Sequence, residues 1–435
     1  ARDTGATELD LGELQHMAGD LTHLPPEIGQ LTELTELQLA ELGLTALPPE
    51  IGQLTRLTKL VVEANFLTSL PPEIRQLANL ASLDLGGNQL ATLPPEIGQL
   101  TNLRSLYLGR NQFTRLPDEL WQLTGLVDLR IGGNPLVALP SVLWTLVNLS
   151  ALDLHGLELT SLPPEIGQLT ELAWVSVRQN ELTSLPSEIG ELTKLRSLQL
   201  GENRLRELPA ELWQLPGLTS LGLEGDQLSP LPSELWGMTS LTRLDLSEKH
   251  LTRLPPEIGQ LANLESLDLI GNHLTSLPPE IGQLTNLEWL WLNNNDLVRL
   301  PPEFGQLANL EWLFLNNNDL IELPPEFGQL TRLRQLLLSG NLLTELPPEI
   351  GQLTNLESIH IVKNILTKLP PEIGQLSNLE ALWMENNVVR RLPPELGQLT
   401  SLKVLTLYGN PLEDPPPEVV AQGTQAILAY LRKRG

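Results

Sequence analysis

With 435 residues, a formal net charge of −26 and a pI near 4.6, the chain is too acidic to suggest a nucleic-acid partner, since phosphate is held by clustered lysine and arginine. The absence of cysteine excludes a disulfide framework and favours a reducing, cytoplasmic location. The sequence has no apolar run of about 18 residues and no signal sequence, so we expect it neither to span nor to cross a membrane.

The first predicted element is a strand at residues 8–11, whose sequence ELDL resembles the SLDL of residues 82–85. Leu11 and Leu24 lie further apart than the regular units allow, so residues 12–20 are predicted to form an irregular loop. Residues 1–23 are therefore interpreted as an N-terminal cap together with the first strand.

The dipeptide Leu-Pro then returns every 23 residues from Leu24 to Leu392, which defines seventeen units over residues 24–414. A repeat of this length indicates a solenoid in which each unit packs on its neighbours. In each unit LxxLxLxxN has the period of a strand, and the prolines that follow end it. The next segment, EIGQLTNL at residues 280–287, has apolar residues three apart and predicts a short helical turn. We therefore predict an α/β solenoid with a parallel concave β-sheet and short helical or irregular convex segments.

An asparagine closes the strand motif in most units, from Asn65 to Asn410. Because an amide both donates and accepts, this column is predicted to be a buried ladder that satisfies the backbone groups of neighbouring turns. Leu42, Leu157, Asp226 and Lys249 interrupt it. Asp226 and Lys249 belong to adjacent units, so we expect them to face each other. They would then either pair or mark a weak point of the solenoid.

The residues that flank the second leucine of each strand are predicted to point to the concave face. They are mostly small or polar up to Asp268, and they become aromatic after residue 288. Clustered exposed aromatic side chains are typical of binding surfaces. The predicted protein-binding residues on this face are Trp289, Trp291, Asn293, Trp312, Phe314, Asn316, Leu337, His360, Trp383 and Tyr408.

The aromatic strands need not form a surface for a separate partner. Residues 277–299 and 300–322 are near copies, so a duplication could have doubled one aromatic strand, although this does not account for Trp383. The same residues could also dock another domain of a longer chain.

Glutamates flank the aromatic set at Glu288, Glu311, Glu357 and Glu380, and Arg334 interrupts them. Glu288 and Glu311 are included in the predicted protein-binding site. Because charge complementarity favours a partner of opposite sign, we expect a protein or peptide that carries basic residues around an apolar anchor.

A second polar group is predicted on the same face, and it comprises Asp128, Arg130, Asp153, His155, Trp174 and Arg178. An acid, a base and a histidine together suggest catalysis, but no nucleophile has a matching base and an open sheet implies no deep pocket. No HExxH or paired ligand spacing predicts a metal. The chain is therefore predicted to be no enzyme and to bind no cofactor.

Four tryptophans replace the glycine of the outer turn, Trp121, Trp144, Trp213 and Trp236. They occur as two pairs in adjacent units. We expect them to pack across the convex side, with a lateral contact as the alternative.

Residues 415–435 follow the last unit, and Pro415–Pro417 replace its Leu-Pro-Pro. Val420, Ile427, Leu428 and Leu431 would share one side of a helix from about residue 418 to 433. Such a helix is predicted to cap the open core of the last repeat.

The unit LPPEIGQLTNLESLDLxGNxLTS resembles the intracellular leucine-rich repeats of Ras-suppressor, Scribble-type and plant Ras-group proteins, and the resemblance covers nearly the whole chain. It implies a horseshoe-shaped solenoid. GATELDL at residues 5–11 and GNPLEDPPPEVVAQGTQAILAYLRKRG at 409–435 resemble the two ends of the repeat domain of bacterial Roco proteins. In that family a Roc GTPase and a COR dimerisation domain would follow Gly435. No GxxxxGK[ST] occurs, so no nucleotide site is carried over.

Two functions are consistent with the sequence. The first is a non-enzymatic module that recognises a protein or peptide on the C-terminal half of the concave face. The alternative is a regulatory segment of a multidomain Roco-type GTPase that docks the domains of its own chain. The identity of the ligand and the oligomeric state are left open.

Overall fold

A computed structural model of the chain describes residues 7–12, 21–225, 228 and 230–434. The chain divides into two compact units, Ala1–Leu218 and Thr219–Gly435. Each unit alternates short strands with short 3-10 turns.

Among the described residues, each unit has nine parallel strands of three residues, because the apolar alternation of each repeat extends only over its central leucines. The strands of the first unit are β1 Glu8–Asp10, β2 Glu36–Gln38, β3 Lys59–Val61, β4 Ser82–Asp84, β5 Ser105–Tyr107, β6 Asp128–Arg130, β7 Ala151–Asp153, β8 Trp174–Ser176 and β9 Ser197–Gln199. Those of the second are β10 Ser220–Gly222, β11 Arg243–Asp245, β12 Ser266–Asp268, β13 Trp289–Trp291, β14 Trp312–Phe314, β15 Gln335–Leu337, β16 Ser358–His360, β17 Ala381–Trp383 and β18 Val404–Thr406. From β2 onward, paired residues of neighbouring strands are 23 apart.

The outer segments are 3-10 turns of five residues that begin after the proline of each Leu-Pro dipeptide. In most units the first residue of the turn is a second proline, whose fixed φ suits the start of a helical turn. In the first unit they are Pro26–Gln30, Pro49–Gln53, Pro72–Gln76, Pro95–Gln99, Asp118–Gln122, Ser141–Thr145, Pro164–Gln168, Ser187–Glu191 and Ala210–Gln214. In the second they are Ser233–Gly237, Pro256–Gln260, Pro279–Gln283, Pro302–Gln306, Pro325–Gln329, Pro348–Gln352, Pro371–Gln375 and Pro394–Gln398. The predicted fold class, parallel strands with short helical segments opposite, is confirmed.

The core of each unit is made of repeated leucines. The central leucine of a strand, such as Leu290 or Leu313, is fully buried, while its two strand neighbours are only partly buried. Burial of each such side chain contributes about 1.5 to 3 kcal/mol. The core therefore fixes which strand residues face outward.

The asparagine column is hydrogen-bonded as the sequence predicts, and it is buried from Asn65 to Asn387, whereas Asn410 is only partly buried. Asn318, for example, accepts a hydrogen bond from the Leu297 N–H at 3.1 Å and donates to the carbonyls of Leu292 at 2.9 Å and Leu315 at 3.1 Å. Each asparagine therefore links three neighbouring segments and satisfies backbone groups that strands this short leave without partners.

Lys249 replaces the asparagine without breaking the ladder. Its Nζ donates at 2.9 Å to the carbonyl of Leu223, 26 residues earlier, and the asparagine Nδ2 atoms of other units donate to a carbonyl at the same separation. The backbone N–H of Lys249 donates to Asn272 Oδ1 at 3.1 Å. Asp226, the predicted partner of Lys249, lies outside the described residues. Most of the predicted loop at residues 12–20 also lies outside them.

Glycine in the outer turns permits close approach of adjacent repeats. A Cβ atom placed on Gly98 would lie 2.5 Å from the Glu119 carbonyl oxygen. Where tryptophan takes this position, Trp121, Trp144 and Trp236 are almost fully buried, which confirms packing for these three. They line cavities of about 170, 530 and 390 Å³, respectively, because an indole cannot fit where turns touch through glycine.

The C-terminal segment forms two helices where the sequence predicts one, α1 Pro417–Val420 and α2 Thr424–Arg432. The break is at Gly423, whose φ of 88° lies in the left-handed region open to glycine. Ile427, Leu428 and Leu431 are buried, and the Arg432 Nε donates to the Gly397 carbonyl of the last turn at 2.6 Å. Across the described ranges, no helix is long and apolar enough to cross a membrane.

Candidate functional site

The predicted binding residues of β13 to β17 lie in two columns on the outward side of the strands. Strand register places Trp289 beside Trp312, and it places Trp291 beside Phe314. The second column continues from Phe314 to Leu337, His360 and Trp383. All of these side chains are partly exposed. We call the set of Trp289, Trp291, Trp312, Phe314, Leu337, His360 and Trp383 the aromatic face.

Four rings of the aromatic face form one stack. The centroids of Trp289 and Trp312 are 3.7 Å apart with planes 11° from parallel. Trp291 lies 5.6 Å from Trp289 and 5.7 Å from Phe314, again nearly parallel. Parallel stacking of this kind favours a fixed orientation of the rings relative to one another.

A second stack joins His360 to Trp383, with centroids 3.8 Å apart and planes 21° from parallel. Burial lowers the pKa of His360, and the negative charge of Glu385 opposes this only in part. The imidazole is therefore neutral at pH 7. Leu337 lies between the two stacks by register, so the face is continuous and uncharged along its second column.

Three predicted residues lie beside this face rather than within its stacks. Asn293 Oδ1 accepts the Asn316 backbone N–H at 2.8 Å, and Asn316 Oδ1 accepts that of Ser339 at 2.8 Å. Their carboxamide oxygens thus tie neighbouring repeats together. Tyr408 is 84% exposed and makes no ring contact with any described residue.

The flanking glutamates are mostly paired within the chain. Arg334 lies between two of them, 2.7 Å from a carboxylate oxygen of Glu357 and 3.9 Å from one of Glu311. Lys403 Nζ is 2.8 Å from Glu380. Only Glu288 of the four has no ion pair with a described residue, so the acidic character is concentrated where the aromatic face begins.

Asp268 adds to that acidic end, although it is not among the residues predicted for the site. Partial burial, together with the charges of Asp245 and Glu248, raises the pKa of Asp268 to about 6, while the Ile270 N–H that it accepts at 2.9 Å opposes the rise. A perturbed carboxylate is more frequent at functional sites than elsewhere. The 23-residue spacing between Asp268 and Trp291 could have identified it.

In the first unit, the predicted polar group is organised around Arg130. Its guanidinium donates to both carboxylate oxygens of Asp128 at 3.2 and 3.0 Å. The guanidinium carbon lies 4.7 Å from the Tyr107 ring centroid and 5.5 Å from that of Trp174. The bond to Asp128 raises the pKa of Arg130, which therefore stays charged, and its partners are all internal.

His155 belongs to the same polar group and is held by Asp153, whose carboxylate oxygens are both 2.9 Å from Nδ1. This carboxylate orients the imidazole. Among the described residues, no serine or threonine hydroxyl and no cysteine thiol completes a nucleophilic arrangement with His155. Within the same part of the chain, no group of three or more His, Cys, Asp or Glu side chains could hold a metal ion.

Models of one repeat family match both halves of the chain. A leucine-rich repeat region matches residues 234–319 and 325–422. A leucine rich repeat model matches residues 55–113, 78–136 and 170–228, and another matches residues 309–330. No curated protein matches the chain significantly.

Solved structures show the same repeat. A leucine-rich repeat protein of Leptospira interrogans is 38% identical, with 97% of this chain and 95% of that chain covered and a TM-score of 0.60. The ectodomain of the plant membrane receptor kinase GASSHO1/SCHENGEN3 from Arabidopsis thaliana, in complex with Casparian strip integrity factor 2, is 28% identical, with 90% and 57% covered and a TM-score of 0.57. YopM from Yersinia enterocolitica is 28% identical, with 95% and 89% covered and a TM-score of 0.54. The chain therefore belongs to the leucine-rich repeat family.

Proposed function

We propose that this chain is a non-enzymatic recognition module that binds a protein or peptide on the aromatic face, the side predicted to be concave. The observation that carries the proposal is the stack of four partly exposed rings at Trp289, Trp291, Trp312 and Phe314. Aromatic side chains held rigidly lose little entropy on binding and commonly dominate the energy of an interface.

Two further observations support this proposal. The leucine-rich repeat ectodomain of the plant receptor kinase was solved in complex with Casparian strip integrity factor 2. The described part of the present chain contains no cysteine thiol and no group of three or more His, Cys, Asp or Glu side chains that could hold a metal ion. The net charge of −26 favours a partner with basic residues around an apolar anchor. We also propose that the chain is located in the cytoplasm, because it contains no cysteine.

A second candidate uses the same face to dock the Roc or COR domain of a longer Roco-type chain. It is favoured by the resemblance of residues 5–11 and 409–435 to the two ends of the Roco repeat domain; the second of these segments contains the helices α1 and α2. Purified Roc and COR domains, added separately, would distinguish the candidates. Binding that is lost in the Trp291→Ser variant supports the second candidate.

The proposal can be tested by selecting a phage-displayed library of random dodecapeptides on the purified chain and measuring the dissociation constants of the selected peptides. We expect apolar or aromatic anchors in these peptides. The double change Trp291→Ser and Phe314→Ser should weaken their binding by at least about tenfold, because both rings are removed from the stack.

Phe66→Ser is the matched control, since Phe66 is 54% exposed but lies outside the aromatic face. It should leave the dissociation constants unchanged. Circular dichroism establishes that the variants are folded. Unchanged binding by a folded Trp291→Ser, Phe314→Ser variant would show that the aromatic face is not the site.

A further inference from the structure

The aromatic stack is covered on one side only. The ring contacts of Trp289 and Trp291 are with each other and with the following strand, β14. The preceding strand, β12, presents Ser266 opposite Trp289 and Asp268 opposite Trp291. Small and acidic side chains therefore border the stack where another ring would otherwise extend it.

The carboxylate at this border has no cationic partner among the described residues. Asp268 Oδ1 accepts the Ile270 N–H, and Asp245, the next residue in the column, accepts from Ser247 in the same way at 2.9 Å. The charged neighbours of Asp268 are Asp245 and Glu248, which are acidic. Arg243 lies on β11 opposite Ser266, yet it forms no ion pair with a described residue.

Elsewhere the chain supplies such a cation itself. Arg130 binds the Asp128 carboxylate while its guanidinium lies over Tyr107 and Trp174. Arg334 does the same at the far side of the stack, since its guanidinium carbon is 5.9 Å from the Trp312 centroid and it is bonded to Glu357. These two sites combine an arginine, a carboxylate and a ring on the outward side of the strands.

At Asp268 and Trp291 the carboxylate and the ring are present, and no arginine of the described residues lies over them. We infer that the partner supplies it: the aromatic face binds an extended basic segment whose arginine side chain lies against Trp291 and pairs with Asp268. This inference rests on the proposed function and specifies the chemistry of the partner at one end of the face.

Charge complementarity determines which end takes the arginine. At the other end, Arg334 and Lys403 form ion pairs with Glu311, Glu357 and Glu380 and offset two of their three negative charges. Beside Asp268, Glu265 and Glu288 are exposed and form no ion pair with a described residue. An arginine suits this end better than a lysine, because a planar guanidinium can stack on an indole and donate hydrogen bonds to a carboxylate at the same time.

The experiment uses the dodecapeptides selected on the full chain. We expect them to be enriched in arginine at a fixed distance from the apolar anchor. Replacement of that arginine by citrulline, which has the same shape without the charge, should weaken binding by about tenfold. On the Asp268→Asn variant the same replacement should change binding by less than about twofold, because the carboxylate that pairs with the charge is gone.

Asp84→Asn is the matched control. Asp84 also accepts a backbone N–H, that of Gly86 at 2.9 Å, but its strand neighbour is Tyr107 rather than a tryptophan of the aromatic face. On this variant the citrulline effect should remain about tenfold.

The outcomes separate this inference from the proposed function. Peptides that require Trp291 and Phe314 but show no arginine enrichment, or whose citrulline effect persists in Asp268→Asn, would overturn the inference and leave the proposed function standing. Peptides that bind equally well to the Trp291→Ser, Phe314→Ser variant would overturn both.

Discussion

Replacing Asp268 by asparagine should make the folded chain more stable at neutral pH, because the native carboxylate is held in an unfavourable environment. Its folded-state pKa of about 6 lies above the ordinary value of 3.8. The unfolded chain therefore loses this proton first as the pH rises. The contribution of Asp268 to the stability of the native protein falls between about pH 4 and pH 6, and its deficit is constant above that window.

The difference between those two pKa values corresponds to about 3 kcal/mol. Asp268 is only partly buried, so solvent screening reduces the effect, and we expect a gain of about 1 to 2 kcal/mol for Asp268→Asn near pH 7. The asparagine Oδ1 can still accept the Ile270 N–H, so that hydrogen bond is retained.

Urea denaturation followed by circular dichroism, at about pH 4 and about pH 7, measures the difference in unfolding free energy between variant and native protein. The gain should be close to zero at the lower pH and reach its full value at the higher one. Glu265→Gln, which removes an exposed charge near the same strand, should change stability by less than about 0.5 kcal/mol. A variant that is no more stable than the native protein near pH 7, or one with equal gain at both pH values, would refute the reasoning.

Two further predictions concern the repeat itself. Asn318→Ala should lower the unfolding free energy by about 2 to 4 kcal/mol, since the Leu297 N–H and the Leu292 carbonyl lose a buried partner. The exposed Asn355→Ala variant should lose less than about 1 kcal/mol of unfolding free energy in the same denaturation experiment. Equal losses in the Asn318→Ala and Asn355→Ala variants would contradict a special role for the ladder. Gly305→Ala should cost about 1 to 3 kcal/mol, because its Cβ would lie 2.3 Å from the Glu326 carbonyl oxygen, whereas Gly237→Ala meets nothing within 4 Å. Similar melting temperatures for these two variants would show that the glycine does not set the spacing of the turns.

An Asp268→Asn variant that is more stable and binds the arginine peptide less well would be informative about selection on this residue. Carboxylates at binding sites are often retained at the expense of stability. The same substitution would then measure how much the Asp268 charge lowers stability and how much it strengthens peptide binding.

Much of the fold follows from the sequence because the repeat has a constant length. Residues 23 apart become neighbours in register, as Trp289 and Trp312 do, so both the strand columns and the asparagine ladder are readable as periodic positions. The same period predicts that Trp291 and Phe314 share a face. The break between α1 and α2 at Gly423 was not predicted, since an apolar stripe is compatible with one helix or two.

The tertiary structure decided what the outward side chains do with one another. Sequence identifies Glu311, Arg334 and Glu357 as one column, but only their distances show that the arginine forms ion pairs with both carboxylates. Likewise, the chain order places Asp268 before Trp291, whereas its perturbed pKa arises from burial and from nearby carboxylates. The period determines which residues are adjacent, because the backbone repeats; charge pairing, ring stacking and solvent exposure depend on side-chain conformations that a one-dimensional period does not specify.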